Sequence, residues 1–259
     1  MTKFIVIASS KGGVGKTTTA INLGTAITSF GRDVIVVDGN LNTPNVSLYL
    51  GAPKIPVTLH DVLQNNKSIT DAVYMHSNGL KIIPASQSFK KTSQKIDYDK
   101  FSRLIKSLSG MADYIIIDSA AGLGDEAIHP IKLGDEILIV STPDLPSVSD
   151  ALRTIKKAQE HNKKVSGIIL TRAYEDELEL SKEDVEAILE TPVIGIIPED
   201  DTIREAVQMK SPVTFSHPNA PSSLSYKELA ANLLGEKYVK SVEKNENMFE
   251  YMLKRLGLK

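Results

Sequence analysis

The sequence has no cysteine in its 259 residues, which excludes disulfides, thiolate zinc sites and cysteine-ligated iron–sulfur clusters and is typical of a reducing compartment. No stretch reaches the roughly 18 apolar residues of a membrane-spanning helix. The apolar run at 4–8 is too short for the hydrophobic part of a signal peptide. Neither sign of charge is in excess, since the net charge is −2, so nothing draws the whole chain to nucleic acid or anionic membrane. We expect a cytoplasmic protein.

Short β-branched runs alternate with longer segments of helical period along the chain. Continuous apolar strands bounded by helices are typical of a mostly parallel sheet covered on both faces. The order predicts a single doubly wound α/β domain, with ligands beyond the carboxyl ends of the strands. The expected strands are 4–7, 33–37, 80–83, 114–117, 136–140, 165–170 and 192–197, and the expected helices are 16–29, 98–109, 146–161, 181–190, 201–209, 222–234 and 247–256.

The chain changes character after position 234. Residues 235–246 are charged and carry little apolar pattern, which indicates a linker. We therefore expect a folded domain at 1–234, a linker at 235–246 and a helix at 247–259.

A glycine-rich turn follows the first predicted strand. The general phosphate-loop pattern G-x-x-x-x-G-K-[ST] needs a glycine where this chain has Ser10. Strand, glycine turn and helix nevertheless follow one another, which directs backbone N–H groups and the positive helix end at phosphate. Lys16 should reach the β- and γ-phosphates of a nucleotide, and the Thr17 hydroxyl should ligate Mg²⁺. The predicted binding residues are Lys11, Gly12, Gly13, Val14, Gly15, Lys16, Thr17 and Thr18.

A second lysine, Lys11, opens this loop. At that position its side chain points outward rather than around the bound phosphate, so it could serve a nucleotide held by another subunit or be a solvated loop lysine. The run 11–18 resembles the motif K-G-G-x-G-K-T-[TS] of the deviant P-loop ATPases of the MinD/ParA family. In that family the signature lysine reaches across an ATP-bound dimer to the partner's phosphates. The resemblance implies this catalytic role for Lys11, and a homodimer that forms on ATP binding.

Further segments are similar to the family in sequence and spacing. Segment 32–51 resembles its second strand and switch I, 114–123 its Walker B and switch II, and 140–151 its T-x-P-E-x-x-S-[IV]-x-D-A block. The resemblance implies outer contacts to Mg²⁺ by Asp38 and Asp118. Segment 194–200 is similar to I-G-x-I-P-E-D, which implies base contacts by Pro198, Glu199 and Asp200. ATP is favoured over GTP because the guanine motif N-K-x-D is missing.

Departures from the family pattern include Ala120, where switch II usually has proline, and two positions that bear on the chemistry. Asn40 stands 24 residues after Lys16, where the family has the aspartate that orients or activates the attacking water. An amide can position a water but is no general base, so either hydrolysis is slow or Asn40 orients the water well enough. Thr171, before Arg172, replaces the asparagine that bonds adenine in the family, and it offers one hydroxyl to the base.

The end of the chain predicts an amphipathic helix. Phe249, Met252, Leu253 and Leu256 fall on one helix face, with Lys254 and Arg255 beside it. An apolar face with basic flanks is typical of a helix that lies in a membrane surface, and proteins of the MinD type carry a similar tail. Docking on its own core or pairing with a partner helix are the alternatives. Since one short helix is marginal alone, membrane binding should need the two copies of a dimer.

These expectations favour one function over three others. The first is an ATPase switch that dimerises on ATP, binds the inner face of the cell membrane and positions a regulatory or cargo protein. A DNA-partitioning ATPase would need a basic surface for DNA, which a net charge of −2 argues against. The remaining alternatives are a nucleotide-binding scaffold with little turnover, motivated by Asn40, and a metabolic enzyme on the same fold.

Overall fold

The computed structural model describes residues 1–51, 55–65, 67–87, 96–174 and 176–238. The strands in these ranges are β1 (Lys3–Ser9), β2 (Val34–Gly39), β3 (Tyr74–Met75), β4 (Lys81–Ile83), β5 (Tyr114–Ala121), β6 (Glu136–Ser141), β7 (Val165–Ala173) and β8 (Val193–Pro198). They form one sheet in the order β3-β4-β2-β5-β1-β6-β7-β8. All neighbours are parallel except β3 and β4. The predicted single, mostly parallel sheet is confirmed.

Helices cover both faces of this sheet. The described helices are α1 (Lys16–Ser29), α2 (Val46–Tyr49), α3 (Leu59–Asn65), α4 (Tyr98–Lys106), α5 (Asp125–Leu133), α6 (Leu145–Glu160), α7 (Lys182–Leu189), α8 (Asp201–Gln208), α9 (Val213–Ser216) and α10 (Pro221–Leu234), with a 3₁₀ turn at Ile69–Ala72. Alternate strand residues pack to opposite sides: Val6 and Ile117 join the core under α4, α5 and α6, whereas Ile7 and Ile116 join the core under α1 and α10. Burial on both faces explains the continuous apolar strands.

The helix predicted at 16–29 is confirmed with both of its bounds. The prediction from hydrophobic periodicity was wrong in omitting short or interrupted elements, namely α2, α3, α5, α9 and β3. Helix α5 is the largest of these, and it carries Pro130 within it.

Strand β8 forms one edge of the sheet. It is preceded by Pro192 and ends at Pro198, and the backbone N–H of Val193 donates to Glu186 Oε1 on α7, at 2.8 Å. The opposite edge is β3, which has two residues.

The last described helix, α10, ends at Leu234, where Gly235 at φ 69° closes it. The predicted helix at 247–259, with Phe249 and Leu256, lies outside the described residues, as does most of the predicted linker. None of the helices in the described ranges has the length and apolar character needed to cross a membrane.

Candidate functional site

The glycine loop connects β1 to α1 at the carboxyl end of the sheet. Gly13 and Gly15 hold left-handed backbone conformations, with φ of 81° and 90°, and Gly15 is the N-cap of α1. A side chain in this conformation would be strained. A Cβ added at Gly12 or Gly13 would meet nothing within 4 Å, so the loop borders open space. That space is a cleft of about 700 Å³, large enough for a nucleotide's phosphates.

Lys16 lies on the floor of the cleft. Its side chain is 8% exposed, and its Nζ donates to Ser9 Oγ at 2.9 Å. Ser9 in turn donates to the carbonyl of Lys11 at 2.7 Å. Burial lowers the pKa of Lys16, against the opposing effect of the Asp118 carboxylate. The ammonium therefore lies in a dry position, where its attraction to phosphate would be strong.

Thr17 and Asp118 offer oxygen ligands beside Lys16. The Thr17 hydroxyl donates to Asp118 Oδ2 at 2.6 Å. Asp118 Oδ1 is buried and has no hydrogen-bond partner within the described part of the chain, which is costly for a carboxylate. Hydroxyl and carboxylate oxygens suit Mg²⁺. These residues fit that ion, which would supply positive charge next to bound phosphates.

Asp38 lies directly beside Asp118, because the two are register partners in β2 and β5. Burial raises the pKa of Asp118 to about 6, although the Thr17 hydroxyl and Lys16 oppose the shift. Burial and then the charge of Asp118 raise the pKa of Asp38 well above its usual value. Two adjacent buried carboxyl groups would be stabilised in their charged form by a cation there.

Asp38 also anchors the loop that follows it. Its carboxylate accepts from the backbone N–H groups of Asn40 at 3.3 Å and of Asn45 and Val46 at 3.0 Å. Asn40 lines the cleft, and its Oδ1 accepts from the backbone and hydroxyl of Thr43 at 3.2 and 2.9 Å. The side-chain oxygen of Asn40 is therefore engaged within its own loop.

Lys11 points away from the phosphate loop of its own chain, as expected for an outward lysine. Its side chain is 46% exposed, and its Nζ donates to Ser147 Oγ at 2.8 Å. Asp144, the N-cap of α6, lies 3.9 Å from the same nitrogen.

The residues predicted to contact a base share a second cavity, of about 150 Å³, which adjoins Gly15 and Tyr226. Its walls include Thr171, Arg172, Pro198, Glu199 and Asp200. Arg172 also lines the phosphate cleft and has a left-handed backbone with φ of 55°. A strained, non-glycine residue at the junction of two cavities is typical of a functional position.

Two of these residues already make hydrogen bonds that stabilise the fold. The Thr171 hydroxyl donates to the carbonyl of Val14 at 2.7 Å, so it supports the phosphate loop. Asp200 caps α8 by accepting a hydrogen bond from the backbone N–H of Thr202 at 2.9 Å. It also accepts one from the backbone N–H of Ser222 at 3.0 Å.

Sequence reasoning missed three groups at the site. These are Ser9 under Lys16, Ser147 with Asp144 under Lys11, and Glu126, which lines the cleft from the first turn of α5. Apart from Asp144 and Ser147, which lie inside a segment that resembles the family, no local pattern marks them.

Comparison with known proteins places this site in a family. The family model described as the CobQ/CobB/MinD/ParA nucleotide binding domain matches residues 5–213. The chain belongs to this family. The resemblance to MinD/ParA proteins is thereby confirmed.

Relatives of the MinD/ParA type extend over nearly the whole chain. An uncharacterised ATP-binding protein of Methanocaldococcus jannaschii is 36% identical over 245 residues, which cover 95% of this chain and 92% of that protein. The septum site-determining protein MinD of Pyrococcus horikoshii, complexed with Mg-ADP, superposes with a TM-score of 0.84 at 33% identity, covering 90% of this chain and 96% of the other. A chain of the MinC:MinD cell division complex of Aquifex aeolicus superposes with a TM-score of 0.82 at 31% identity. The superposition covers 92% of this chain and 97% of that one.

Proposed function

We propose that the protein is an ATP-dependent dimerising switch of the MinD type, which hydrolyses ATP and positions a partner protein at a membrane surface. The observation that carries this proposal is the pair of lysines. Lys16 lies buried beneath the cleft, whereas Lys11 projects from the same loop, half exposed, to the start of α6.

ATP with Mg²⁺ is the proposed ligand. Lys16 would hold the phosphates, and Thr17 with Asp118 would hold the ion, since Asp118 Oδ1 is buried without a partner in the described ranges. The second cavity, with Arg172 and Pro198, would take the base. The relative in Methanocaldococcus jannaschii is described as ATP-binding, and the solved MinD contains Mg-ADP.

Dimerisation is proposed from the position of Lys11. Lys11 is half exposed and its ammonium lies at the start of α6, so it could exchange these contacts for a nucleotide in a second chain, as the resemblance to the family implies. The Aquifex complex contains MinC together with MinD, which supports a protein partner for the assembled dimer. That partner is a regulatory or cargo protein.

Low turnover is the second candidate, in which the protein acts as a nucleotide-binding scaffold. The observation that favours it is the engagement of Asn40 Oδ1 by Thr43, since that oxygen is the one that would accept a hydrogen bond from the attacking water. Asn40→Asp should therefore raise the turnover rate, and an unchanged rate would mean that Asn40 does not limit it.

The proposal is tested by calorimetry and light scattering in ATP and Mg²⁺. The wild type should bind ATP and become a dimer, Lys16→Ala should not bind, and Lys11→Ala should bind but remain a monomer. Lys132→Ala, at an exposed lysine on α5, is the matched control and should behave as the wild type. A wild type that binds no ATP overturns the proposal, and a Lys11→Ala protein that still dimerises overturns the role of Lys11.

Membrane attachment is proposed for the tail, through Phe249, Met252, Leu253 and Leu256 with Lys254 and Arg255. Co-sedimentation with anionic liposomes in ATP should pellet the whole chain more than a chain that stops after Glu246. Equal pelleting of the two would exclude the tail as the anchor.

A further inference from the structure

Two loops face each other across the phosphate cleft, and a single carboxylate joins them. One loop, 40–45, follows β2, and the other, 122–126, follows β5 and enters α5. Glu126 Oε1 accepts from the backbone N–H of Asn42 at 2.8 Å, and Glu126 Oε2 accepts from Asn42 Nδ2. The two residues are 84 positions apart in the chain.

Glu126 reaches the loop from a rigid support. It lies in the first turn of α5, where the positive end of the helix stabilises a carboxylate. The next two residues, Ala127 and Ile128, are buried, and their N–H groups donate to the carbonyl of Gly124 at 3.0 Å. The carboxylate is therefore held in place by the packed part of the molecule.

Half of the loop that it contacts is exposed, whereas Leu41 and Pro44 are buried. Asn42, Thr43 and Asn45 are all exposed, and Asn40 is half-buried. Asp38 fixes the two ends of the loop, and Gln87 donates to the carbonyl of Pro44 at 2.7 Å. The middle of the loop, at Asn42, is held by Glu126. Leu41, which is 1% exposed, separates Asn42 from Asn40, so the clamp at Asn42 and the packed side chain of Leu41 together restrain Asn40.

Among the described residues that line the cleft, Glu126 is the one carboxylate, since Asp38 and Asp118 lie beneath its floor. Both of its oxygens already accept hydrogen bonds from Asn42. Its effect on the cleft is therefore exerted through Asn42 rather than through direct contact with a water.

We propose that Glu126 is a positioning residue for ATP hydrolysis: by clamping Asn42 it holds the loop 40–45, and with it Asn40, against the cleft. This inference rests on the proposed ATPase function. The first turn of α5 then couples the loop after β5 to the loop after β2.

The test reverses which side chain of the clamp donates and which accepts the hydrogen bond. In Glu126→Gln the new side chain has one acceptor and one donor, whereas Asn42 presents two donors, so one of the two hydrogen bonds is lost. In the double variant Asn42→Asp/Glu126→Gln, the introduced glutamine accepts from the backbone N–H at position 42 and donates to the introduced aspartate. The clamp is then restored with reversed polarity.

Steady-state kinetics should separate positioning from binding. Glu126→Gln should lower kcat about tenfold with an unchanged KM for ATP, Asn42→Asp should do the same, and the double variant should recover most of the loss. Asp125→Asn removes a neighbouring charge in the same helical turn and should leave kcat unchanged. An unaltered kcat in Glu126→Gln, or a double variant without recovery, overturns the proposal.

Hydrogen exchange of the nucleotide-free protein gives a readout that needs no turnover. Amides in 40–46 should exchange faster in Glu126→Gln and return to the wild-type rate in the double variant, while those of α1 stay unchanged. A wild type without ATP turnover would count against the proposed function alone. Unchanged exchange of 40–46 in Glu126→Gln would count against the clamp alone.

Discussion

The ammonium group of Lys11 donates a hydrogen bond to the hydroxyl of Ser147, with 2.8 Å between nitrogen and oxygen. Asp144 adds its charge from 3.9 Å, and the side chains of Lys11 and Asp144 are each 46% exposed. Within one chain, Lys11 is thus bound at the start of α6. To reach a nucleotide in a second chain it would first have to leave these two partners.

We predict that Asp144→Asn tightens ATP-dependent dimerisation. Asparagine is as good an N-cap as aspartate, so α6 keeps its start, while Lys11 loses the charge that favours its position within the chain. Because a half-exposed ion pair contributes at most about 1 kcal/mol and each of the two chains releases one Lys11, the dimer dissociation constant should fall by up to about thirtyfold. Analytical ultracentrifugation in ATP measures this constant.

Asp150→Asn, further along α6, is the control for this change and should leave dimerisation as it is in the wild type. Weaker dimerisation of Asp144→Asn would show that Asp144 supports the dimer instead of competing with it.

Thr171→Val should weaken nucleotide binding without changing the choice of base. The Thr171 hydroxyl is buried and donates to the carbonyl of Val14, so its loss leaves a loop carbonyl without this donor. We expect a roughly tenfold loss of affinity, equal for ATP and GTP, as measured by calorimetry with each nucleotide.

The control is Thr191→Val. That hydroxyl is also buried, but it donates to the carbonyl of Leu189, outside the residues that line the two cavities. If Thr171→Val lowers the affinity for ATP alone, Thr171 contacts the base directly.

His60 should make stability depend on pH below neutrality. The ring is 3% exposed on α3, its Nδ1 accepts from the backbone N–H of Ser86 at 2.9 Å, and burial lowers its pKa to about 4. The histidine of the unfolded chain has an ordinary pKa of about 6.5. Between pH 6.5 and about 4 the unfolded chain therefore binds a proton at this residue and the folded chain does not. The contribution is therefore fully present above pH 6.5 and is lost as the pH falls from there toward 4.

Urea denaturation of the wild type and of His60→Asn between pH 7.5 and 4.5 measures this effect. The variant can still accept from Ser86 but does not titrate, so the difference in unfolding free energy should change with pH by up to about 1.4 kcal/mol per unit. Parallel profiles for the wild type and His60→Asn would contradict the assignment.

The alternation of apolar strands and helices was sufficient to predict the sheet and α1, because burial on both faces leaves a continuous signal in each strand. Helix α5 was not predicted because Pro130 interrupts its apolar pattern and because Gly122 and Gly124 precede it. The helices α2 and α9 have four residues each, too few for a helical period to be visible.

At the site, the lysines could be predicted because their loop is one continuous motif, whereas their partners could not. Lys11 meets Ser147 because β1 and β6 are neighbours, and Asn42 meets Glu126 because β2 and β5 are neighbours. The order of strands in the sheet is not written in any local pattern. Thr171 was predicted to contact the base, and that role stays a prediction beside its observed bond to Val14.

The two borders of the sheet restrict how copies of this chain can meet. On the β8 side, the prolines at 192 and 198 have no amide hydrogen, and Glu186 occupies the amide of Val193. On the other side, β3 is only two residues long. Within the described ranges, neither border presents the long, open ladder through which sheets fuse or fibrils grow. Self-association by strand addition is therefore disfavoured.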